Sequence, residues 1–257
     1  MVLNPEIAAI LTLTSTRPPL TSLGLAAYRI QVNEAVVRAS KLEAPLTEIR
    51  DLEIPGPIGS IGVRLYIPPE NGPHPLLVYC HGGGYIIGNL DLSDYICRLI
   101  AAMSACTILS VDYRLALEHP FSAGLNDAWA ALIWSLEHVD ELNADPTRIA
   151  VGGDSAGGNL AAALRARDAG ISLAAQVLLY ASPDYPDLSA ASAREYVTGA
   201  SASVEVTMRR YAGMPHGFLA FVSAVPAVMD QLCAWLNEKW KRQRVLLNSN
   251  EGALRHG

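Results

Sequence analysis

Gly152-Gly-Asp-Ser-Ala-Gly-Gly-Asn159 follows a short apolar strand, Ile149 to Val151, and leads into an alanine-rich helix that starts just after Ser155. Its centre, Gly153 to Gly157, fits G-x-S-x-G, and a strand before it with a helix after it is the setting that pattern requires. The turn is too tight for bulky flanking residues. It lifts the Ser155 hydroxyl above a sheet and directs the positive end of the following helix at it. Ser155 is therefore the candidate nucleophile. The plainer alternative is a glycine-rich turn with an incidental serine, and the strand–turn–helix setting weighs against it.

The same alternation extends outward. Upstream, Leu76-Leu-Val-Tyr-Cys80 reads as a buried strand ending in His81-Gly-Gly-Gly84, and Thr107 to Val111 as another ending at Asp112-Tyr-Arg114. Thr47 to Ile54 and Ile61 to Ile67 alternate in polarity around Pro55-Gly-Pro57 and Gly59, which predicts a β-hairpin. Further strands are expected over Gln176–Tyr180 and Val204–Tyr211, and helices over Ser93–Ser104, Gly124–Val139 and Phe218–Arg242. Near-continuous apolar strands alternating with helices imply an α/β fold: a mostly parallel central sheet with helices on both faces. Residues 1–45 form a separate helical segment interrupted by Pro18-Pro19, with Ala26, Ile30 and Val37 on one face. It is either a cap over a pocket or additional core. Residues 46–244 are the α/β core, and 245–257 read as a polar, frayed tail.

Composition bounds the function. The chain has 257 residues, 51% hydrophobic and 17% charged, which suits one domain with a sizeable core. A formal charge of −6 without a basic block argues against nucleic acid or an anionic membrane as partner. The four cysteines, Cys80, Cys97, Cys106 and Cys233, have no C-x-x-C or zinc-ligand spacing, so free thiols in a reducing compartment are expected and no metal. With no basic leader and no apolar run approaching about 18 residues, a soluble cytoplasmic protein is expected.

A serine that attacks a carbonyl produces an oxyanion, which preorganised backbone N–H groups stabilise. The glycines after His81 leave such donors unobstructed. Gly82 and Gly83 are the candidates, with the N–H of Ala156 as the third; His81 reads as a brace for the loop. A phosphate loop is disfavoured, because neither Gly-Lys-Ser/Thr nor G-x-G-x-x-G is present. The serine also needs a base. Among six histidines, His216 lies C-terminal to Ser155, after an expected strand and before the last helix, in the chain order Ser…acid…His.

Taken together, His81-Gly-Gly-Gly-Tyr85, Asp112-Tyr-Arg-Leu115, Glu118-His-Pro-Phe121, the Gly152–Asn159 stretch and Tyr211-Ala-Gly-Met-Pro-His-Gly-Phe218 resemble the hormone-sensitive-lipase family of bacterial esterases, in its GDSAG branch. The resemblance covers nearly the whole chain. It implies an α/β-hydrolase fold with an eight-stranded sheet and an N-terminal helical cap. It also implies hydrolysis of short- to medium-chain acyl esters, no metal or organic cofactor, and a homodimer through the sheet edge as a common assembly. One departure stands out: the family's Asp-Pro-Leu-like motif, which carries the catalytic acid, is missing, as if a strand and part of the cap were absent near 199–200. Asp187 is the replacement to consider first and Asp184 second, although each also reads as an ordinary loop carboxylate. Without an acid, a catalytically impaired binder of small ligands is the alternative function.

Overall fold

The computed structural model describes residues 24–39, 44–166, 170–181 and 225–254. Its elements in chain order are α1 (Leu25–Ala39), β1 (Glu48–Gly56), β2 (Gly59–Ile67), β3 (His74–Cys80), α2 (Leu90–Ser104), β4 (Thr107–Val111), α3 (Ala123–Glu137), β5 (Ala144–Asp154), α4 (Ala156–Ala166), β6 (Ala175–Leu179) and α5 (Val225–Leu254). Among the described residues the six strands form one sheet in the order β1-β2-β4-β3-β5-β6. The hairpin β1–β2 is antiparallel and joins β4 antiparallel, while β4, β3, β5 and β6 run parallel. This is the mostly parallel sheet expected.

Side-chain alternation along β3 shows how the sheet is covered. Leu76, Val78 and Cys80 face α3 and α4, packing with Ala128, Leu132, Leu160 and Leu164. Leu77 and Tyr79 face the other way, against Ile96 and Ile100 of α2 and Met229 and Leu236 of α5. All seven residues of β3 are buried. A strand with two apolar partner layers has no polar face to show, which is why its sequence lacks alternation. Each fully buried Leu or Ile contributes about 1.5–3 kcal/mol. All four cysteines are buried and unpaired.

Several boundaries differ from expectation, each for a local reason. Helix α2 starts three residues early because Asn89, in extended conformation, caps it by accepting from the Leu92 N–H. Strand β5 starts at Ala144, since the Asp145-Pro146 turn is an irregularity inside the strand: His74 pairs Ala144, and pairing resumes at Leu76 with Ile149. Helix α5 continues to Leu254, so most of the expected tail is helical. Its one proline, Pro226, lies in the first turn, where a missing N–H costs nothing. The stripe assigned to the N-terminal helix is also corrected: Ala26 is exposed and Ile30 is 60% exposed. Among residues 24–34 the half-buried positions are Leu25, Tyr28, Arg29, Val32 and Asn33, and the helix docks through a polar residue that a search for apolar periodicity passes over. The first part of the N-terminal segment and the expected strand Val204–Tyr211 lie outside the described residues, as do positions 199–200, where the sequence reads as if a block were missing.

Candidate active site

Four parallel strands end on the same side of the sheet, so the residues that follow them converge. β3 leads into His81–Gly84, β4 into Asp112-Tyr113, β5 into Ser155 and β6 into Tyr180. Pairing of Cys80 with Gly153, and of Asp154 with Leu179, sets the glycine loop, the serine and Tyr180 side by side. The C-terminal edge of a parallel sheet is where open α/β folds build their sites.

Ser155 sits in the left-handed region, φ 51°. For a residue with a Cβ that costs about 1–2 kcal/mol, so the surroundings must hold it. The Ser155 N–H donates to the Leu179 carbonyl at 2.9 Å, and its own carbonyl accepts from the Asn159 N–H at 3.1 Å, the first turn of α4. The bend is therefore fastened to β6 on one side and to the helix on the other. Ala156 follows directly as the first residue of α4 and is buried.

The glycine loop is braced from below. Tyr113 stacks on His81 with centroids 4.4 Å apart, and its hydroxyl donates to the His81 carbonyl at 2.8 Å. His81 Nδ1 lies 2.7 Å from the Gly82 carbonyl. Since a carbonyl only accepts, the proton is on Nδ1. Burial pulls the His81 pKa down to about 4, against the raising effect of that hydrogen bond. His81 is therefore neutral near pH 7 and serves as a brace. At Gly83 φ is 124°, and a Cβ there would lie 2.0 Å from the Ile87 carbonyl oxygen, so only glycine fits. The Gly83 carbonyl accepts from the N–H groups of both Ile86 (3.1 Å) and Ile87 (3.0 Å), closing a tight turn.

Asp154 joins the two parts. Its carboxylate accepts from the Gly82 N–H at 2.8 Å and from the Tyr79 hydroxyl at 2.9 Å on Oδ1, and from the Tyr180 hydroxyl at 3.3 Å on Oδ2. Gly82 thus spends its N–H on Asp154, which removes it as an expected oxyanion donor. Sequence reasoning missed this role of Asp154; the available signal was a carboxylate immediately before the serine in an otherwise apolar turn.

Burial raises the Asp154 pKa, with the Tyr79, Gly82 and Tyr180 hydrogen bonds opposing it. The folded protein then binds this proton more tightly than the unfolded chain does. This contribution makes stability fall as pH rises from the usual aspartate range through the raised value, and it levels off above. Asp154→Asn removes the contribution. As pH rises from the usual aspartate range, the urea midpoint of the asparagine variant, measured relative to wild type, is expected to rise. Midpoints that move in parallel would contradict this.

His74 heads β3 and is buried against Thr107. His216, Asp187 and Asp184 lie outside the described residues.

Comparison with known proteins places this arrangement. A family model described as α/β hydrolase fold matches residues 77–201. The carboxylic ester hydrolase LipN of Mycobacterium tuberculosis is 53% identical over 116 residues, covering 45% of this chain and 31% of that protein. A solved arylesterase structure is 32% identical over 81% of this chain and 69% of its own, with a TM-score of 0.66. The hyperthermophilic esterase of the archaeon Pyrobaculum calidifontis is 26% identical, covers 93% of this chain and 99% of its own, and gives a TM-score of 0.82. The chain spans 31% to 54% of the length of the first curated esterases it matches. On these likenesses, and on the strand order and serine bend above, the chain belongs to the α/β-hydrolase-fold family, in its hormone-sensitive-lipase-like branch.

Proposed function

We propose that this chain hydrolyses carboxylic esters of short- to medium-chain acids through an acyl-enzyme formed on Ser155. The observation that carries the reading is Ser155 held at φ 51° on a strand-to-helix bend, beside a glycine loop fixed by Asp154. A residue is kept in a costly conformation when its placement is used. The esterase relatives support the substrate class.

In the first half-reaction Ser155 Oγ attacks the ester carbonyl carbon while His216 takes the hydroxyl proton. The carbonyl π pair moves onto oxygen, which backbone N–H groups receive. The oxyanion then collapses, the bond to the leaving oxygen breaks, and His216 gives its proton to the departing alcohol. Water repeats the sequence on the acyl-enzyme, releasing the acid and restoring the Ser155 hydroxyl. With the Gly82 N–H held by Asp154, the donors in this reading are Gly83, Gly84 and Ala156. Asp187 remains the first candidate to orient His216, followed by Asp184.

The test is to incubate the protein with a short-chain chromogenic ester, with and without a serine-directed organophosphonate, and to map the adduct by peptide mass spectrometry. Turnover that stops in proportion to one phosphonyl group on Ser155 is expected. Turnover without Ser155 modification would overturn the nucleophile. Neither turnover nor modification would favour the impaired small-ligand binder, the function that the missing acid motif suggests.

A further inference from the structure

We propose that Arg29 of α1 is a positioning residue that holds the oxyanion loop in shape, so that the N-terminal helix and the amide donors work as one unit. The inference rests on the esterase reading above and deepens it.

The guanidinium of Arg29 makes four hydrogen bonds to two loops. Nε donates to the Ile86 carbonyl at 2.7 Å, and Nη2 to the Ala116 carbonyl at 2.9 Å. Nη1 and Nη2 donate to the two carboxylate oxygens of Glu118 at 2.7 and 2.8 Å. The loops are themselves joined, because the Ala116 N–H donates to the Tyr85 carbonyl at 2.8 Å. Arg29 therefore closes a ring through residues 85–86 and 116–118.

That ring bears on the amides. The Ile86 and Ile87 N–H groups both donate to the Gly83 carbonyl, at 3.1 and 3.0 Å. A peptide unit is planar and trans, so fixing the Gly83 carbonyl also fixes the direction of the Gly84 N–H, which points the opposite way in the same plane. Arg29 grips the Ile86 carbonyl, on the far side of this turn. A cation on a helix thus sets the aim of an amide that the reaction needs, without approaching the substrate.

The chemistry suits arginine. A planar fork can satisfy a carboxylate with two parallel bonds and still reach two carbonyls, whereas an ammonium is a point donor. The hydrogen bonds from Arg29 hold the Glu118 carboxyl down at about 2, so the pair stays ionised throughout the working pH range. Glu118 is half-exposed, with 51% of its side chain accessible, and such pairs add little to overall stability. The clamp should then be visible in loop order and in turnover much more than in melting temperature.

The experiment compares wild type with Arg29→Met, Arg29→Lys and Glu118→Gln in two measurements. The first is hydrogen exchange of peptides covering 83–88 and 115–118. Exchange is expected to speed up roughly 10-fold in both segments of Arg29→Met, with β3 and β5 unchanged. Unchanged exchange there overturns the proposal, and so does faster exchange throughout the sheet. The second is steady-state hydrolysis of the short-chain ester. In Arg29→Met kcat is expected to fall roughly 10- to 100-fold while KM moves less than about 3-fold. Arg29→Lys should recover only part of the loss, and Glu118→Gln should show a smaller loss in the same direction. A raised KM with unchanged kcat overturns positioning in favour of a role in shaping the pocket. If wild type shows neither turnover nor Ser155 labelling, the esterase reading fails, and the clamp still stands or falls on exchange.

Discussion

Ser155→Ala is expected to lower kcat for ester hydrolysis by about 10⁵- to 10⁶-fold, leaving only the residual acceleration that binding and the amide donors supply. In the proposed mechanism, removing the attacking oxygen abolishes the covalent route outright. The same position carries a second expectation of opposite sign. Ser155 is held at φ 51°, where a Cβ is strained and glycine is not. Ser155→Gly should be as inactive as Ser155→Ala but more stable by about 1 kcal/mol, a melting temperature higher by about 2–4 °C. Both variants lack the hydroxyl, so their difference isolates the backbone cost of presenting it. A Ser155→Ala protein retaining a tenth or more of wild-type turnover would remove the serine from the mechanism. Equal stability of the two variants would show that the bend carries no strain.

The frame of the fold was open to reading because its causes are local. A strand buried on both faces must be apolar throughout, and Leu76–Cys80 and Thr107–Val111 announce themselves for that reason. The serine bend was equally open, since a left-handed residue between glycines leaves a short and specific pattern. What the sequence hid depends on long-range polar contacts. Arg29 reaches Ile86 and Glu118 across intervals of 57 and 89 residues, and no periodicity encodes that. The helix was therefore assigned the stripe Ala26, Ile30 and Val37, although Ile30 is 60% exposed. The role of Gly82 was hidden in the same way. A glycine after His81 signals an open amide, but the fold has already given that amide to Asp154, 72 residues on. Composition encodes which residues avoid water; it does not encode which carbonyl a guanidinium finds.

The close approach of helix to strand behind the serine leads to the other large expected effect. A Cβ added at Gly157 would lie 2.0 Å from the Cys80 carbonyl oxygen and 2.5 Å from that of His81. Both are backbone atoms at the end of β3, which is paired to β4 on one side and β5 on the other. They cannot retreat without breaking the centre of the sheet, so α4 must move. Gly157→Ala is therefore expected at the costly end of overpacking, about 3 kcal/mol or more, out of a typical total of about 5–15 kcal/mol. Displacing α4 also carries Ala156 and the Ser155 bend away from the glycine loop. A misplacement of about 1 Å is enough to lower kcat about 100-fold. Gly24→Ala provides the contrast, since its Cβ meets nothing within 4 Å, and it should stay within about 0.5 kcal/mol of wild type. Urea denaturation and ester turnover on the two variants decide the point. A Gly157→Ala protein with wild-type stability and wild-type kcat would mean that α4 can shift away from β3 freely, and the site would then owe its geometry to something other than that contact.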